Sequence, residues 1–406
     1  MTAIIAEIAL RCLLRNGVLN PLSKIAEGSA MAYQGIDTYI IKTVEWCNLD
    51  CAYCYYYHGQ DSSFENRPQY MPRTAVNALV PKIIDHCERH GIDAVVINVH
   101  GGEPLLQPKE DYRWMMEQFD RIDAAGIRTY RKVTTNGVTL DDEWAELLAR
   151  YHTYLGVSID GSRDLHDAAR VDLAGRGSYD RSVRGLRTAL KWADRGLEVG
   201  TISVLNPAEH GADTYHHLRS LGVESVHVLL PEMNYVQPPV PREDGRTYGD
   251  VLVEFFDAWV GEDNPRVDVS LFVDMAKAVA GLPSSSDQFG YAPVRVAVLE
   301  TDGSLQPTDS FRACADGMTD LGINIYRDSI DQLYNHEFFR LCVDQQAFVP
   351  DECRDCRFVD ICGGGRITSR YSKEDGFSRK SIHCDSLYRI FGHVRKTLDD
   401  NNLLQN

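Results

Sequence analysis

"DTYIIKTVEWCNLDCAYCYYYHG", residues 37–59, runs from a β-branched stretch straight into three cysteines, Cys47, Cys51 and Cys54, within eight positions. The first half reads as a strand that delivers Cys47 at its C-terminal end. No fourth cysteine follows nearby, whereas a structural zinc site is closed by four protein ligands. Three thiolates can instead hold a cubane iron–sulfur cluster and leave one iron open to another ligand. Three buried cysteines without metal are the alternative.

Outward from this stretch, short apolar runs alternate with helical patterns. "AVVINV" (94–99) is continuous in the way of a parallel strand buried on both faces, and it leads directly into "HGGEP". "RTYRKVTT" (128–135), "YLGVSID" (154–160), "LEVGTISVLN" (197–206) and "VESVHVLL" (223–230) complete six strands. Helical patterns near 73–90, 110–125, 141–151, 178–195 and 211–221 lie between them, several closed by glycine as at Gly91, Gly126 and Gly222. Strand and helix in alternation predict right-handed parallel crossovers, and six units suit a partial (β/α)6 barrel of the α/β class. Chemistry in such folds sits at the C-terminal strand ends. Cys47, then Gly101, Gly102 and Glu103, then Asn136, then Ser158 and Asp160 all fall there.

At 406 residues the chain exceeds one ordinary core, and 44% hydrophobic with 25% charged residues is a globular composition. A net charge of −17 argues against a general nucleic-acid or anionic-membrane surface. No apolar stretch spans a bilayer, and the start "MTAIIAEIALRCLLRNG" lacks a signal-peptide pattern and reads as a short amphipathic helix. Eleven cysteines in a cytoplasmic chain point to metal where they cluster, while Cys12, Cys87, Cys314 and Cys342 stand alone as small buried hydrophobes. The expected divisions are an N-terminal helical extension (1–36), the partial barrel (37–235), a bridging region (236–300), with proline-rich "PEMNYVQPPVPRED" (231–244) as the boundary loop between these two, and a C-terminal region (301–406). The last is poor in periodic elements and rich in cysteine and glycine, so it needs a metal staple.

Cys47-x3-Cys51-x-Tyr53-Cys54 resembles the signature of the radical S-adenosylmethionine (SAM) enzymes, and "GGEP" at 101–104 is similar to that family's segment after the second strand. The resemblance implies a 4Fe-4S cluster on Cys47, Cys51 and Cys54 that binds SAM. Backbone near Gly101 and Gly102, together with Glu103, would take the methionine ammonium, glycine permitting close approach. "SIDGSRDLHDAAR" (158–170) resembles the ribose and carboxylate region. There Ser158 and Asp160 would bond sugar hydroxyls and Arg170 would pair with the carboxylate, a surface salt bridge being its alternative. Tyr53 would lie near the adenine or pack on the barrel, and Asn136 belongs to the same strand-end set. Tyr55, Tyr56 and Tyr57 read as packing residues.

Cys353-x2-Cys356-x5-Cys362 with Cys384 resembles the SPASM module, which carries auxiliary iron–sulfur clusters in peptide-modifying enzymes. Two departures stand out: Arg366 occupies the place of the pattern's fourth cysteine, and Pro307-Thr308-Asp309 stands where relatives read Pro-Cys-Asp. Both lost thiols would serve a second auxiliary cluster, so a single auxiliary 4Fe-4S cluster is expected, with a zinc ribbon on the same four cysteines as the rival. Asp309 aligns with a proposed base, or is an ordinary turn aspartate.

Stretches such as "ETDGSLQPTDSF" and "CGGGRITSRYSKEDGFSRKSIHC" are similar to SPASM maturases that build cyclophanes in ribosomally made peptides. The resemblance implies hydrogen abstraction from a side-chain carbon of a precursor peptide and a carbon–carbon bond to an aromatic ring, with a reducing partner such as flavodoxin or ferredoxin. Peptide oxidation, thioether formation or epimerisation are the alternatives, and a zinc-stapled peptide-binding protein is the rival of another class.

Overall fold

The computed structural model describes residues 35–404; the helix expected at the N-terminus lies outside them. Strands β1 (Thr38–Val44), β2 (Ala94–Gly101), β3 (Arg128–Thr135), β4 (Tyr154–Ser158), β5 (Glu198–Val204) and β6 (Ser225–Leu229) coincide with the six apolar runs. They lie side by side in chain order and all parallel. Helices α1 (Arg73–His90), α2 (Lys109–Ala124), α3 (Asp142–Arg150), α4 (Tyr179–Leu190) and α5 (Gly211–Ser220) form the crossovers. The pattern expected as one helix over 178–195 divides: α4 stops at Leu190, and a short 3-10 turn, Ala193–Arg195, leads to Gly196.

The sheet does not stop at six strands. β7 (Asp268–Val269) adds to β6, β8 (Val296–Leu299) runs parallel to β1, and β9 (Leu305–Gln306) pairs antiparallel with β8. The segments beyond residue 236 therefore cover both edges that a six-stranded open sheet would leave unpaired. Strands of two to four residues carry too little periodicity to be seen in sequence.

Alternation gives the sheet two unlike faces. Tyr39, Ile41, Val95, Ile97, Val99, Val133, Leu155 and Val157 are buried in the core beneath the helices. The opposite face pairs Lys42 with His100, and Asn98 with Lys132, across neighbouring strands. This polar inner face is the lumen of a barrel that remains open. Helix α6 (Tyr248–Glu262), started by a Thr247–Asp250 capping box, packs with the final helix α8 (Cys384–Asp400), while α7 (Ser270–Val279) lies between them in sequence.

Candidate functional site

At the exit of β1 the chain turns into the three-cysteine loop, and Leu49–Cys51 forms a two-stranded antiparallel sheet with Arg170–Asp172, Cys51 standing opposite Arg170. The GGEP glycines are explained by this junction. The Gly102 amide donates to Val44 O (2.8 Å) and the Glu103 amide to Trp46 O (3.0 Å). A Cβ on Gly101, whose φ is +146°, would stand 2.3 Å from Val44 O, and one on Gly102 2.2 Å from Trp46 O. The close backbone approach expected toward SAM is thus occupied by the chain's own loop, which the glycines seat against β2.

The three sulfurs face one another closely enough to interact electrostatically, yet no three of them lie mutually within 4.8 Å. A tetrahedral ion with zinc–sulfur bonds of about 2.3 Å would draw its thiolates to about 3.8 Å. Burial pushes the Cys47 thiol up to about 12 and the Cys51 thiol up to about 11, so the thiolate forms require the positive charge of bound metal. Asn136 Nδ2 approaches Cys47 Sγ at 3.7 Å, and the amides of Tyr56 and Tyr57 hydrogen-bond Cys54.

The expected SAM contacts separate into two groups and an outlier. Glu103, 1% exposed, braces the end of β3: it accepts from Thr135 Oγ1 (2.6 Å), the Asn136 amide (2.7 Å) and the Leu105 amide (3.0 Å), which leaves Oε2 with one donor. Tyr53, Asp160 and Arg170 form the second group. The tyrosine hydroxyl donates to Asp160 Oδ2 (2.5 Å) and accepts from Arg170 Nη1 (2.5 Å). Arg170 is 8% exposed, which excludes a surface salt bridge, and its Nε is buried without a partner among the described residues. An orphaned guanidinium donor fits a carboxylate ligand. Ser158 ends β4 and makes no side-chain hydrogen bond among the described residues. A cavity of about 310 Å³ lies alongside, lined in part by Tyr53, Cys54, Tyr55, Asp160, Glu232 and Tyr248.

Asp309 is buried and is no ordinary turn residue. It forms an ion pair with Lys42, which is 1% exposed, and a hydrogen bond with Tyr55. Burial alone would raise its carboxyl, but Lys42 and His100 hold it well below the usual carboxylate range. Burial, and then the Lys42 charge, depresses His100 to about 4, so that ring is neutral. Tyr56 lies between two cations, Lys42 at 4.7 Å and Arg312 at 4.5 Å from its ring centre, and its hydroxyl bonds Glu45. The tyrosines after Cys54 therefore build the site rather than merely packing. Sequence inspection missed Lys42, whose only signal was a charge on the inner-face positions of an apolar strand.

In the C-terminal region Cys353, Cys356, Cys362 and Cys384 converge within mutual electrostatic reach, again with no three sulfurs inside 4.8 Å. Four thiolates can close a site around a metal centre. Gly363, Gly364 and Gly365 all take positive φ, and the fully buried Arg370 donates to the carbonyls of Gly363 (2.6 Å) and Gly365, which holds the turn after Cys362. Arg366 pairs with Glu232 and with Asp287 (3.0 Å). Cys314 lies in a small apolar cluster with Phe311, Cys342 and Ile367. Ion pairs and packing thus occupy the neighbourhood of the two absent thiols.

Residues 41–221 match the Radical SAM superfamily. The chain is 24% identical over 360 residues to the cysteine-type anaerobic sulfatase-maturating enzyme of Clostridium perfringens, covering 86% of this chain and 93% of that protein. It is 26% identical over 383 residues to the serine-type anaerobic sulfatase-maturating enzyme of Bacteroides thetaiotaomicron, covering 87% and 88%. Its fold is similar to native anSMEcpe with bound AdoMet (SAM) and Cp18Cys peptide, at 22% identity and a TM-score of 0.76 over 90% of this chain and 98% of that one. It is also similar to Streptococcus suis SuiB bound to precursor peptide SuiA, at 15% identity and a TM-score of 0.57 over 93% and 87%. The fold is accordingly an α/β fold with a parallel sheet, carrying the Radical SAM match over residues 41–221 and similar along most of its length to those solved structures. No helix of the described residues is long and apolar enough to cross a membrane.

Proposed function

We propose that this chain is a cytoplasmic radical SAM maturase of a ribosomally made peptide, joining a side-chain carbon to an aromatic ring. The observation that carries the maturase reading is the pairing of an open three-thiolate loop with a closed four-thiolate site, with a cavity beside the loop that is large enough for a side chain. When bound, SAM and the cluster on Cys47, Cys51 and Cys54 supply a carbon radical that removes one hydrogen atom from the peptide.

The chain's own residues do the rest. Arg170, through its unpartnered Nε, would hold the SAM carboxylate, and Glu103 Oε2 would accept from the ammonium. Tyr53 and Asp160 hold Arg170 against the loop. Ring attachment then releases one proton and one electron. Tyr55, on the cavity wall and bonded to Asp309, would link the peptide to the proton acceptor, and a cluster held by Cys353, Cys356, Cys362 and Cys384 would supply an electron acceptor. Lys42 makes Asp309 a weak base until their pair opens. The replacement of thiols by Thr308 and Arg366, and the similarity of the surrounding stretches to cyclophane-forming maturases, support crosslinking.

A second reading, oxidation of a Cys or Ser side chain to formylglycine, is favoured by the alignments with sulfatase-maturating enzymes. Anaerobic reconstitution and a candidate precursor peptide separate the two. Crosslinking yields loss of two hydrogens, no aldehyde, and no fragmentation between the joined residues. Oxidation yields a hydrazine-reactive aldehyde, and epimerisation yields deuterium uptake without mass loss. About eight irons per chain are expected, four for each cluster. A zinc-loaded protein that cannot cleave SAM would end the enzyme reading.

A further inference from the structure

Lys42 and Arg366 bring positive charge to the interior, and each meets carboxylate: Asp309 for Lys42, Glu232 and Asp287 for Arg366. Lys132 does not. It stands in the middle of β3 on the polar inner face, half-buried, with no hydrogen bond or ion pair among the described residues. Its ammonium lies 5.1 Å from the ring centre of Tyr154, its cross-strand neighbour on β4. A Cβ on Gly200 would stand 2.4 Å from the Tyr154 hydroxyl, which bonds Ser225 Oγ (2.9 Å), so this glycine lets the ring lie across β5. The ring face attracts the cation but carries no net charge to neutralise it.

The other neighbours supply no counter-charge. Asn98, opposite Lys132 on β2, makes no side-chain hydrogen bond among the described residues, and its Oδ1 is buried without a partner. His227 on β6 bonds Ser270 Oγ (2.5 Å); burial, and then the Lys132 charge, push it down to about 4, so that ring is neutral. Burial pushes Lys132 down only to about 8, which leaves it mostly protonated at neutral pH. A lysine inside a protein is ordinarily paired, and a buried amide is ordinarily bonded. Here an unmatched ammonium and an uncommitted amide stand side by side, in a chain whose net charge is −17. Both groups are complementary to an anion that enters the lumen.

We infer that Lys132 and Asn98 form a subsite for a carboxylate of the peptide substrate, Lys132 Nζ supplying the charge and the Asn98 amide a second donor. This rests on the reading that the chain modifies a peptide; no bond is made or broken at the subsite. Register gives its place. Lys42 stands opposite His100, and Lys132 stands opposite Asn98, two residues earlier on β2. The subsite is therefore two strands across and one inner-face step deeper than Lys42, roughly 10–12 Å away. That is the span of about three to four residues of extended peptide. The carboxylate belongs either to an Asp or Glu side chain at that separation from the reacting residue or to the C-terminus of the peptide.

The test uses the reconstituted holoenzyme with SAM and three probes: acetyl-Phe-Ala-Ala-Glu-Ala-amide, its Gln counterpart, and that Gln peptide with a free C-terminal carboxyl. Calorimetry measures binding. Wild type binds at least one carboxylate probe tenfold or more tightly than the neutral one, and which of the two it prefers identifies the source of the carboxylate. K132M keeps the apolar stem and brings all three probes within twofold of one another, whereas K132R keeps the preference within threefold. K132E reverses it, favouring the Lys counterpart of the first probe, a change that lost packing would not produce. K132Q, read beside the thermal midpoint of each variant, covers misfolding of the others. Equal binding of all three probes by wild type, binding of none, or an unchanged preference in K132M overturns the inference. Mass analysis of the peptides and of SAM reports separately on the maturase reading: absence of both peptide modification and SAM cleavage would count against that reading, while the dependence on Lys132 still judges the subsite.

Discussion

Lys42 and Asp309 stand 267 positions apart in sequence and meet in the interior as an ion pair, the lysine 1% and the aspartate 6% exposed. Lys42→Met keeps the apolar stem and removes the charge, leaving Asp309 with the Tyr55 hydrogen bond and the neutral His100 nearby. Removing one partner of a buried pair costs about 3–5 kcal/mol, because the remaining charge keeps its desolvation penalty without its compensation. The loss depends on pH in a defined sense. In wild type the depressed Asp309 carboxyl contributes stability above its unfolded value of about 3.9, lost as pH falls through the lower folded value. In Lys42→Met burial is left to raise the folded carboxyl above 3.9, so the unfolded state binds fewer protons and stability falls as pH rises. The variant's deficit is therefore larger at pH 7 than at pH 4. Urea unfolding of anaerobic holoenzyme at the two pH values measures it, and K42M/D309L, which removes both charges, recovers at least half of the loss. A deficit below about 1 kcal/mol at pH 7, or one that grows toward pH 4, would refute the argument.

Gly102→Ala drives a Cβ into Trp46 O and the Tyr57 hydroxyl, so it unseats the three-cysteine loop; the expected loss is about 1–3 kcal/mol together with roughly half of the bound iron, read by iron assay. Arg170→Met removes the buried, unpartnered Nε donor and weakens SAM binding roughly 30-fold or more by equilibrium dialysis, with Arg170→Lys recovering only part of it. His100 takes a proton near pH 6.5 when unfolded but only near 4 when folded, so stability falls as pH drops between those values, by at most about 3 kcal/mol. His100→Gln flattens that slope in thermal melts across pH 4–7. Cys384→Ser lowers iron by about four per chain while reductive SAM cleavage survives, since the open loop does not depend on that thiol.

Much of the architecture was legible along the chain. Each of the six β-branched runs became a strand, and the three-cysteine loop lies at the strand end where it was expected. The four C-terminal cysteines converge although Cys362 and Cys384 are separated by three glycines, a buried arginine and a surface turn. These features are local: period, spacing and turn chemistry carry them. The glycines of GGEP were recognised by motif, but their contact with Val44 and Trp46 was not, because it depends on how β1 and β2 exit together. Tyr55 and Tyr56 read as packing because nothing nearby in sequence marks Asp309, Glu45 or Arg312 as their partners.

By itself, then, the sequence determined the α/β alternation and the two thiolate sets, one open and one complete, since hydrophobic period and ligand spacing are properties of short segments. Only the tertiary structure decided how the edges of the sheet are covered, that Lys42 holds Asp309 ionised, and that Arg366 meets Glu232 and Asp287 near two absent thiols. Those outcomes are pairings over tens to hundreds of residues. Their energies come from desolvation and charge at one place in space, which no stretch of the chain encodes alone.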